Sequence, residues 1–319
     1  MKKAVKVIGK ILLGILILLI LVILCVFLYN RIMLSKEKTL LQNQQISQLV
    51  SVDGHQMSLY VSGEGKHTLV FMAGAGTPAP ILSYQSFAEC FQNDYRIVII
   101  EKFGYGFSDE FEGARDVETR VNQNRKALET AGIAGPYVLC PHSYTGLETI
   151  YWAQNYPDEV EAVIGLDMAV PRAYDTYDED VINAVKSSDS VKRILRNMGI
   201  VRLFVGGTIP ADYTSEEKKI ITALVCKNYG SQTAFNEVES LASDLVRIDS
   251  KKNPDVPTLL IISDGKVTDG WIGFEMDYAS ALSDVKTVQL DCGHSVYEYE
   301  PDKCEKSMRE FIKGLEDQS

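Results

Sequence analysis

The sequence predicts an α/β protein in which a mostly parallel, eight-stranded sheet carries helices on both faces. Short apolar runs, typical of buried strands, alternate with segments whose apolar residues recur at helical spacing. Two alternating segments joined by Asp53-Gly54, a typical hairpin turn, come before this alternation. Residues 172–253 interrupt it with a charged, mostly helical pattern, which predicts a helical cap inserted over the sheet.

An apolar segment lies at the N-terminus. Residues 11–29 contain no charge, and a helix of nineteen residues spans about 29 Å, enough to cross the hydrocarbon core of a bilayer. Four lysines come before this segment and three basic residues follow it, so we expect the N-terminus in the cytoplasm and the folded domain on the outer face of the cell membrane. We predict an uncleaved, single-pass anchor over residues 1–38. A cleaved signal peptide is the alternative, but no A-x-A-like site follows the apolar run.

The charge distribution excludes some partners. The formal net charge is −11, and because residues 1–38 carry +6, residues 39–319 carry −17. Nucleic acid requires a basic face, so we expect no nucleic-acid partner, and anionic lipid headgroups would repel this domain. The six cysteines are scattered without a C-x-x-C pair, so neither a zinc site nor a disulfide framework is expected, although Cys292 and Cys304 could pair.

The domain of residues 39–319 is predicted to alternate strands and helices. After a polar stalk or first helix at 40–50, the strands are expected at 47–52, 56–62, 68–72, 95–100, 137–140, 160–166, 257–263 and 286–290, with helices at 83–91, 116–131, 147–155, 274–282 and 301–315. Pro301 suits the first turn of the last helix. Strands separated by helices are expected to run parallel.

Ser143 is the candidate nucleophile. It lies between the buried strand predicted at 137–140 and the helix predicted at 147–155. A sharp turn of this kind holds its central side chain out at the edge of the sheet, and the helix N-terminus favours developing negative charge. The usual pattern is G-x-S-x-G, but Pro141 and Thr145 occupy the two glycine positions here. An ordinary turn with an N-capping serine is the alternative.

His294 is the candidate base among four histidines. It follows the last predicted strand, where a base would come after the nucleophile and the acid in chain order. His142 is adjacent to Ser143, but consecutive residues in a sharp turn point apart, so we expect it to pack or hydrogen-bond beneath the turn. His55 and His67 lie in or near the early hairpin.

The turn Ala73-Gly-Ala-Gly76 is the candidate oxyanion turn. Backbone N–H groups of Ala75 and Tyr144 would stabilise negative charge on a tetrahedral intermediate. A tight turn that simply requires glycine is the alternative. No G-x-G-x-x-G opens a helix after the first strand and no GK[ST] is present, so we expect no dinucleotide or phosphate-loop cofactor, and no metal.

Five features in this order resemble the α/β-hydrolase superfamily, over about residues 48–316. They are the turn at 73–76 with Ala73 in place of the usual His, the segment 103–109 with its G-x-G-x-S-D pattern, His142-Ser143-Tyr144, the insertion after the sixth strand, and Gly293-His294 with Glu300-Pro301 behind it. The resemblance is greatest to the single-domain esterase and peptidase branch with a helical cap. It implies the α/β-hydrolase fold and a catalytic triad.

The resemblance leaves the acid of the triad open. In this family the acid usually follows the seventh strand, where Lys266 stands in this chain, with Asp264 and Asp269 displaced on either side. A minority of members place the acid at the end of the sixth strand, which is Asp167 here. We predict Asp167 as the acid that orients His294, with Asp264 or Asp269 as the alternative.

These residues together predict a membrane-anchored serine hydrolase that cleaves a carboxylic ester or small amide through an acyl-enzyme. The substrate is expected to be a small molecule bound under the cap, whose aromatic residues are Tyr174, Tyr177, Phe204, Tyr213 and Tyr229. An aminopeptidase or acyltransferase would use the same triad. A non-catalytic surface protein that binds ligands on a hydrolase fold is the further alternative.

Overall fold

A single sheet organises the protein. The computed structural model describes residues 2–175, 177–211 and 213–317, and within them eight strands lie in the order β1-β2-β4-β3-β5-β6-β7-β8. The strands are β1 Gln48–Val52, β2 His55–Ser62, β3 Thr68–Met72, β4 Arg96–Glu101, β5 Tyr137–Ser143, β6 Val160–Met168, β7 Thr258–Ile262 and β8 Val285–Gln289. β2 runs antiparallel to β1 and β4, and every other pair is parallel. The predicted eight-stranded, mostly parallel sheet is therefore confirmed.

Helices cover both faces of this sheet. They are α1 Lys2–Gln42, α2 Pro80–Ala88, α3 Val117–Thr130, α4 Thr145–Asn155, α5 Glu179–Asn197, α6 Ser215–Asn228, α7 Gln232–Asp249, α8 Trp271–Ser280, α9 Val296–Tyr299 and α10 Pro301–Glu316. The fully buried strand β3 shows why two layers are needed, because its side chains alternate between the faces. Val70 belongs to the apolar cluster that includes α3 and α4, whereas Phe71 belongs to the cluster that includes α2 and α10.

The cap lies between β6 and β7, where the break in the pattern predicts it. It contains α5, α6 and α7, and each helix begins at a side-chain cap. Asp178 accepts a hydrogen bond from the backbone N–H of Val181, and Thr214 forms a capping box with Glu217. α7 packs against both α5 and α4, so the cap is fixed to the helix that follows the candidate nucleophile.

The N-terminal helix α1 is longer than expected. A helix is predicted over 11–29 and a separate stalk or first helix over 40–50, but α1 continues unbroken to Gln42. It is long and apolar enough to cross a membrane, and a signal sequence would satisfy the same criterion. Residues 5–22 are exposed all round. From there on, one face at three- and four-residue spacing is partly or fully buried, formed by Ile23, Val26, Asn30, Met33, Leu34, Glu37, Leu40 and Leu41.

Candidate active site

The turn after β5 holds Ser143 in a strained conformation. Its φ is +53°, in the left-handed region that a residue with a side chain rarely adopts. Such a residue costs on the order of 1–3 kcal/mol and persists only where its surroundings enforce it. The enforcing contacts come from Thr145, whose hydroxyl hydrogen-bonds the carbonyl oxygens of Met72 at 2.8 Å and His142 at 2.9 Å.

The two residues that depart from the G-x-S-x-G pattern both lie against the end of β3. Pro141 lies opposite Met72 in the sheet and has no N–H to donate to the ladder. The buried hydroxyl of Thr145 donates to the Met72 carbonyl. The glycine that close packing requires is Gly146, where a Cβ atom would collide with the Ala169 carbonyl oxygen beyond β6.

The glycine-rich turn passes directly against Ser143. A Cβ atom on Gly74 would lie 2.8 Å from the Cβ of Ser143 and 3.1 Å from Nδ1 of His142, so only glycine fits at this point. Ala75 and Tyr144 line the same cavity as Ser143. Tyr144 is the N-cap of α4, and backbone N–H groups at the start of a helix have no partner inside it. Both predicted oxyanion residues are therefore adjacent to Ser143.

Asp167 and His294 form a close pair. Oδ2 of Asp167 lies 2.5 Å from Nδ1 of His294. Asp167 is fully buried, and its Oδ1 accepts hydrogen bonds from the Ser263 N–H at 2.7 Å and the Trp271 indole N–H at 3.0 Å. Its φ is +49°, so two of the three non-glycine residues with positive φ in the described part of the chain are Ser143 and Asp167.

The alternative acids lie elsewhere. The Asp264 carboxylate accepts hydrogen bonds from the backbone N–H of Lys266 at 3.1 Å and from the Nζ of Lys266 at 2.6 Å. The Lys266 side chain lowers the pKa of this carboxyl. Asp269 is exposed. Of the three predicted candidates, the one placed against His294 is Asp167.

The other histidines occupy structural positions. His142 is buried beneath the turn, where its Nε2 lies 3.2 Å from the carbonyl oxygen of His294. Burial, with a smaller contribution from His294, lowers the pKa of His142 to about 4, so it is neutral near pH 7. His67 lies between Glu161 and Glu316, and the His55 ring packs edge-on against Phe103 and Phe111.

Glu275 is a buried carboxyl near Asp167 that no sequence motif marks. It lies on α8 with 1% of its surface exposed. Burial, reinforced by the charge of Asp167, raises its pKa well above the usual range.

A network of buried charged side chains lies beneath the cavity, and the sequence does not predict it. Glu237 of α7 binds Lys102 at 2.9 Å and Arg115 at 2.8 Å, and Glu148 of α4 binds Lys102 at 3.1 Å and Arg120 at 2.8 Å. Burial alone would raise the pKa of Glu237, but the charges of Lys102 and Arg115 outweigh it and the pKa is lowered. The network joins the cap to the helix that begins beside Ser143. Its members are distant in sequence and show no spacing motif.

A cavity of about 290 Å³ lies between the cap and the edge of the sheet. Its walls include Ser143, and the cap supplies Asp189, Lys192 and three of the predicted aromatic residues, Tyr174, Tyr177 and Tyr229. The other two predicted aromatic residues lie outside the cavity wall. Phe204 is 68% exposed, and the hydroxyl of Tyr213 donates to the Leu82 carbonyl at 3.2 Å.

Two further features concern metals and cysteines. Among the described residues, no group of three or more His, Cys, Asp or Glu side chains is arranged to hold a metal ion. All six cysteines are free, so Cys292 and Cys304 are not joined.

Comparison with known proteins places the chain in a family. No protein-family model matches it. The uncharacterized protein YbdG of Bacillus subtilis (strain 168) is 32% identical over 311 residues, which cover 93% of this chain and 94% of YbdG. The chain belongs to the YbdG family. The alignment spans nearly the whole of both proteins.

Solved structures identify the fold as that of the α/β-hydrolases. Cfl2 of Burkholderia cenocepacia matches with a TM-score of 0.68 at 17% identity, over 83% of this chain and 95% of Cfl2. The Cif epoxide hydrolase of Acinetobacter nosocomialis matches with a TM-score of 0.69 at 16% identity, over 90% and 96%. E-2-(acetamidomethylene)succinate hydrolase matches with a TM-score of 0.60 at 18% identity, over 84% and 99%. At these identities the similarity establishes the fold and leaves the reaction to the residues of the site.

Proposed function

We propose that the protein is a serine hydrolase that cleaves a carboxylic ester or a small amide through an acyl-enzyme. The observation that carries this proposal is the pairing of Asp167 with His294 at one end of the sheet that also presents Ser143 in a strained turn. A serine hydroxyl needs a neighbouring base to become a nucleophile, and that base needs a partner to fix its orientation.

In the proposed mechanism, each residue has one role. Asp167 accepts the Nδ1–H of His294, which leaves Nε2 free to take the proton of the Ser143 hydroxyl. The serine oxygen attacks the carbonyl carbon, and the backbone N–H groups of Ala75 and Tyr144 stabilise the negative charge that develops on the oxygen. His294 then protonates the leaving alcohol or amine. Water activated by His294 releases the acid and restores Ser143.

Epoxide hydrolysis is a second candidate, because several similar structures are named as epoxide hydrolases. The chemistry of Ser143 argues against it. A serine oxygen that opened an epoxide would leave an ether, which has no carbonyl carbon for water to attack. An acyl-enzyme is an ester and can be hydrolysed, so carbonyl substrates suit this nucleophile.

We further propose that α1 anchors the protein in the cell membrane, with the N-terminus in the cytoplasm and the catalytic domain on the outer face. The length and composition of α1 support this arrangement, and so does the excess of lysines before its apolar segment. A signal peptide is removed from the mature protein, so no contacts between it and the mature domain would be expected. The burial of Asn30 and Glu37 against the domain therefore favours retention of the helix.

A fluorophosphonate probe tests the proposed reaction, because it forms a covalent bond only with an activated serine. The full-length protein should be labelled, Ser143→Ala should lose the label, and the exposed-site variant Ser280→Ala should keep it. If the folded wild-type protein is not labelled, the result favours the alternative hypothesis of a non-catalytic binding protein. Turnover of short p-nitrophenyl esters against aminoacyl amides would then separate esterase from aminopeptidase activity.

A further inference from the structure

The cap meets α1 before the apolar part of the helix ends. The apolar segment extends to Tyr29, but the buried face of α1 begins at Ile23 and Val26. At 1.5 Å per residue, Ile23 lies about 10 Å deeper along the helix than Asn30. Part of the folded domain is therefore level with residues that would lie inside the hydrocarbon core if α1 spans a membrane.

The part of the cap at this level runs between α5 and α6. A Cβ atom on Gly199 would meet the side chain of Asn30 and lie 3.1 Å from the carbonyl oxygen of Val26. Arg202 donates from Nε to Asn30 at 3.0 Å and forms a two-pronged ion pair with Glu37 through NH1 at 2.5 Å and NH2 at 2.7 Å. Residues 199–202 thus lie beside α1 where its apolar segment ends.

The two residues that follow Arg202 expose large apolar side chains. Leu203 is 58% exposed and Phe204 is 68% exposed, whereas the neighbouring Val205 is buried. In water this exposure is unfavourable, at about 25 cal/mol per Å² of apolar surface. At a membrane surface the same side chains would be buried among lipid, and aromatic residues are enriched at that depth.

The charges around this site suit lipid headgroups. Arg31 and Lys36 of α1 are exposed, and Lys218 and Lys219 of α6 line a groove with Tyr29 and Lys36. The residues 39–319 carry −17 as a whole, which predicts repulsion from anionic lipids. This end of the cap is a local exception, because its basic side chains gather where α1 would leave the bilayer.

We propose that residues 198–206 of the cap, named here the cap tip, lie in the interfacial layer of the membrane that α1 crosses, with Leu203 and Phe204 in contact with lipid. This proposal rests on the proposed anchor. A bilayer fits better than a protein partner because α1, already fixed to the cap tip through Asn30 and Glu37, brings the bilayer to this surface. Lipid is thus adjacent to Phe204 without any further binding partner.

The test uses the full-length protein in phosphatidylcholine–phosphatidylglycerol vesicles, with a tryptophan placed at Phe204. Bromine on the lipid chains quenches tryptophan only by contact, so the emission added by Phe204→Trp should be lost in brominated vesicles. Val246→Trp is the matched control, because Val246 is 72% exposed on α7, the cap helix that packs on α4. Its added emission should persist in brominated vesicles and respond to aqueous acrylamide. Wild type gives the background of the native tryptophans, of which Trp152 is fully buried and Trp271 is 6% exposed.

Three measurements separate the outcomes. Flotation of the vesicles reports whether α1 anchors the protein, and fluorophosphonate labelling of the same samples reports the proposed hydrolase site. If the protein floats but the Phe204→Trp emission survives bromination and is quenched by acrylamide, the cap tip is in water and the proposal is wrong. The same conclusion follows if the protein does not float. Loss of labelling with quenching intact would overturn the hydrolase and leave the cap tip in the membrane.

Discussion

The Asp167 carboxylate and the His294 imidazole lie 2.5 Å apart, between Oδ2 and Nδ1, although 127 residues separate them in the chain. Asp167 reaches this position from the end of β6, the strand beside β5, and not from the loop after β7. The segment after β7 contributes in a different way, because the backbone N–H of Ser263 and the indole N–H of Trp271, the first residue of α8, donate to the other oxygen of Asp167.

Asp167→Asn should lower the turnover number by about 10⁴-fold while leaving the fold intact, because an amide no longer fixes the histidine tautomer. Asp264→Asn is the matched control and should retain near wild-type turnover, since its partner is Lys266. Hydrolysis of a p-nitrophenyl ester, with circular dichroism to verify folding, measures both. Near wild-type activity in Asp167→Asn would assign the acid to another residue.

His142→Gln should lower kcat less than about tenfold, whereas His294→Gln should lower it at least a hundredfold, the lower end of what a general base contributes. A glutamine at 142 can still donate to the His294 carbonyl, which the Nε2 atom of His142 approaches to 3.2 Å. Because the pKa of His142 is about 4, it does not titrate between pH 5 and 8, and the pH profile of kcat/KM should keep its midpoint in His142→Gln. A shifted midpoint would show that His142 takes part in the titration of the base.

Glu275 should make the protein less stable as pH rises. Its folded pKa is raised, so above the unfolded value near 4.5 unfolding releases a proton, and the free energy of unfolding falls by about 1.4 kcal/mol per pH unit until the folded pKa is reached. Glu275→Gln should remove this contribution. Urea unfolding at pH 5, 6 and 7 measures the difference in slope from wild type. The exposed-site variant Glu64→Gln serves as the control and should follow wild type, and an unchanged slope in Glu275→Gln would mean that Glu275 is ionised in the fold.

Glu237→Gln should destabilise the protein by about 3 kcal/mol, because it leaves Lys102 and Arg115 buried without their shared carboxylate. Glu239→Gln, two residues further along α7, removes only a pair with Lys186 in which Glu239 is 57% exposed, and should cost less than about 1 kcal/mol. Thermal unfolding compares the two. Equal effects would show that the network does not hold the cap on the sheet domain.

Much of the fold could be predicted because its signals are local. Alternating apolar runs identified all eight strands, and the interruption at 172–253 marked the cap. The resemblance to the α/β-hydrolases narrowed the acid to three residues after β6 and β7, and Asp167 could be preferred because β6 was expected beside β5. The φ of +49° at Asp167 and its two donors after β7 have no sequence signature.

What the sequence did not reveal depends on contacts between distant segments. The charges of Lys102, Glu148 and Glu237 look like ordinary surface residues in sequence, and only tertiary packing buries them. The same is true of Glu275. The continuity of α1 was not predicted because the polar, glutamine-rich segment at 40–50 suggested a separate stalk or first helix. Asn30 and Glu37, which lie beyond the apolar run, are the residues of α1 that bind the cap.

The contact between α1 and the cap is also connected to the wall of the cavity. Asn30 donates to the Arg196 carbonyl at the end of α5, and one to two turns earlier on that helix Asp189 and Lys192 form part of the cavity wall. α5 has no fully buried side chain and packs against α7. The hydrogen bond from Asn30 therefore connects the N-terminal helix, through two turns of α5, to side chains that enclose the cavity.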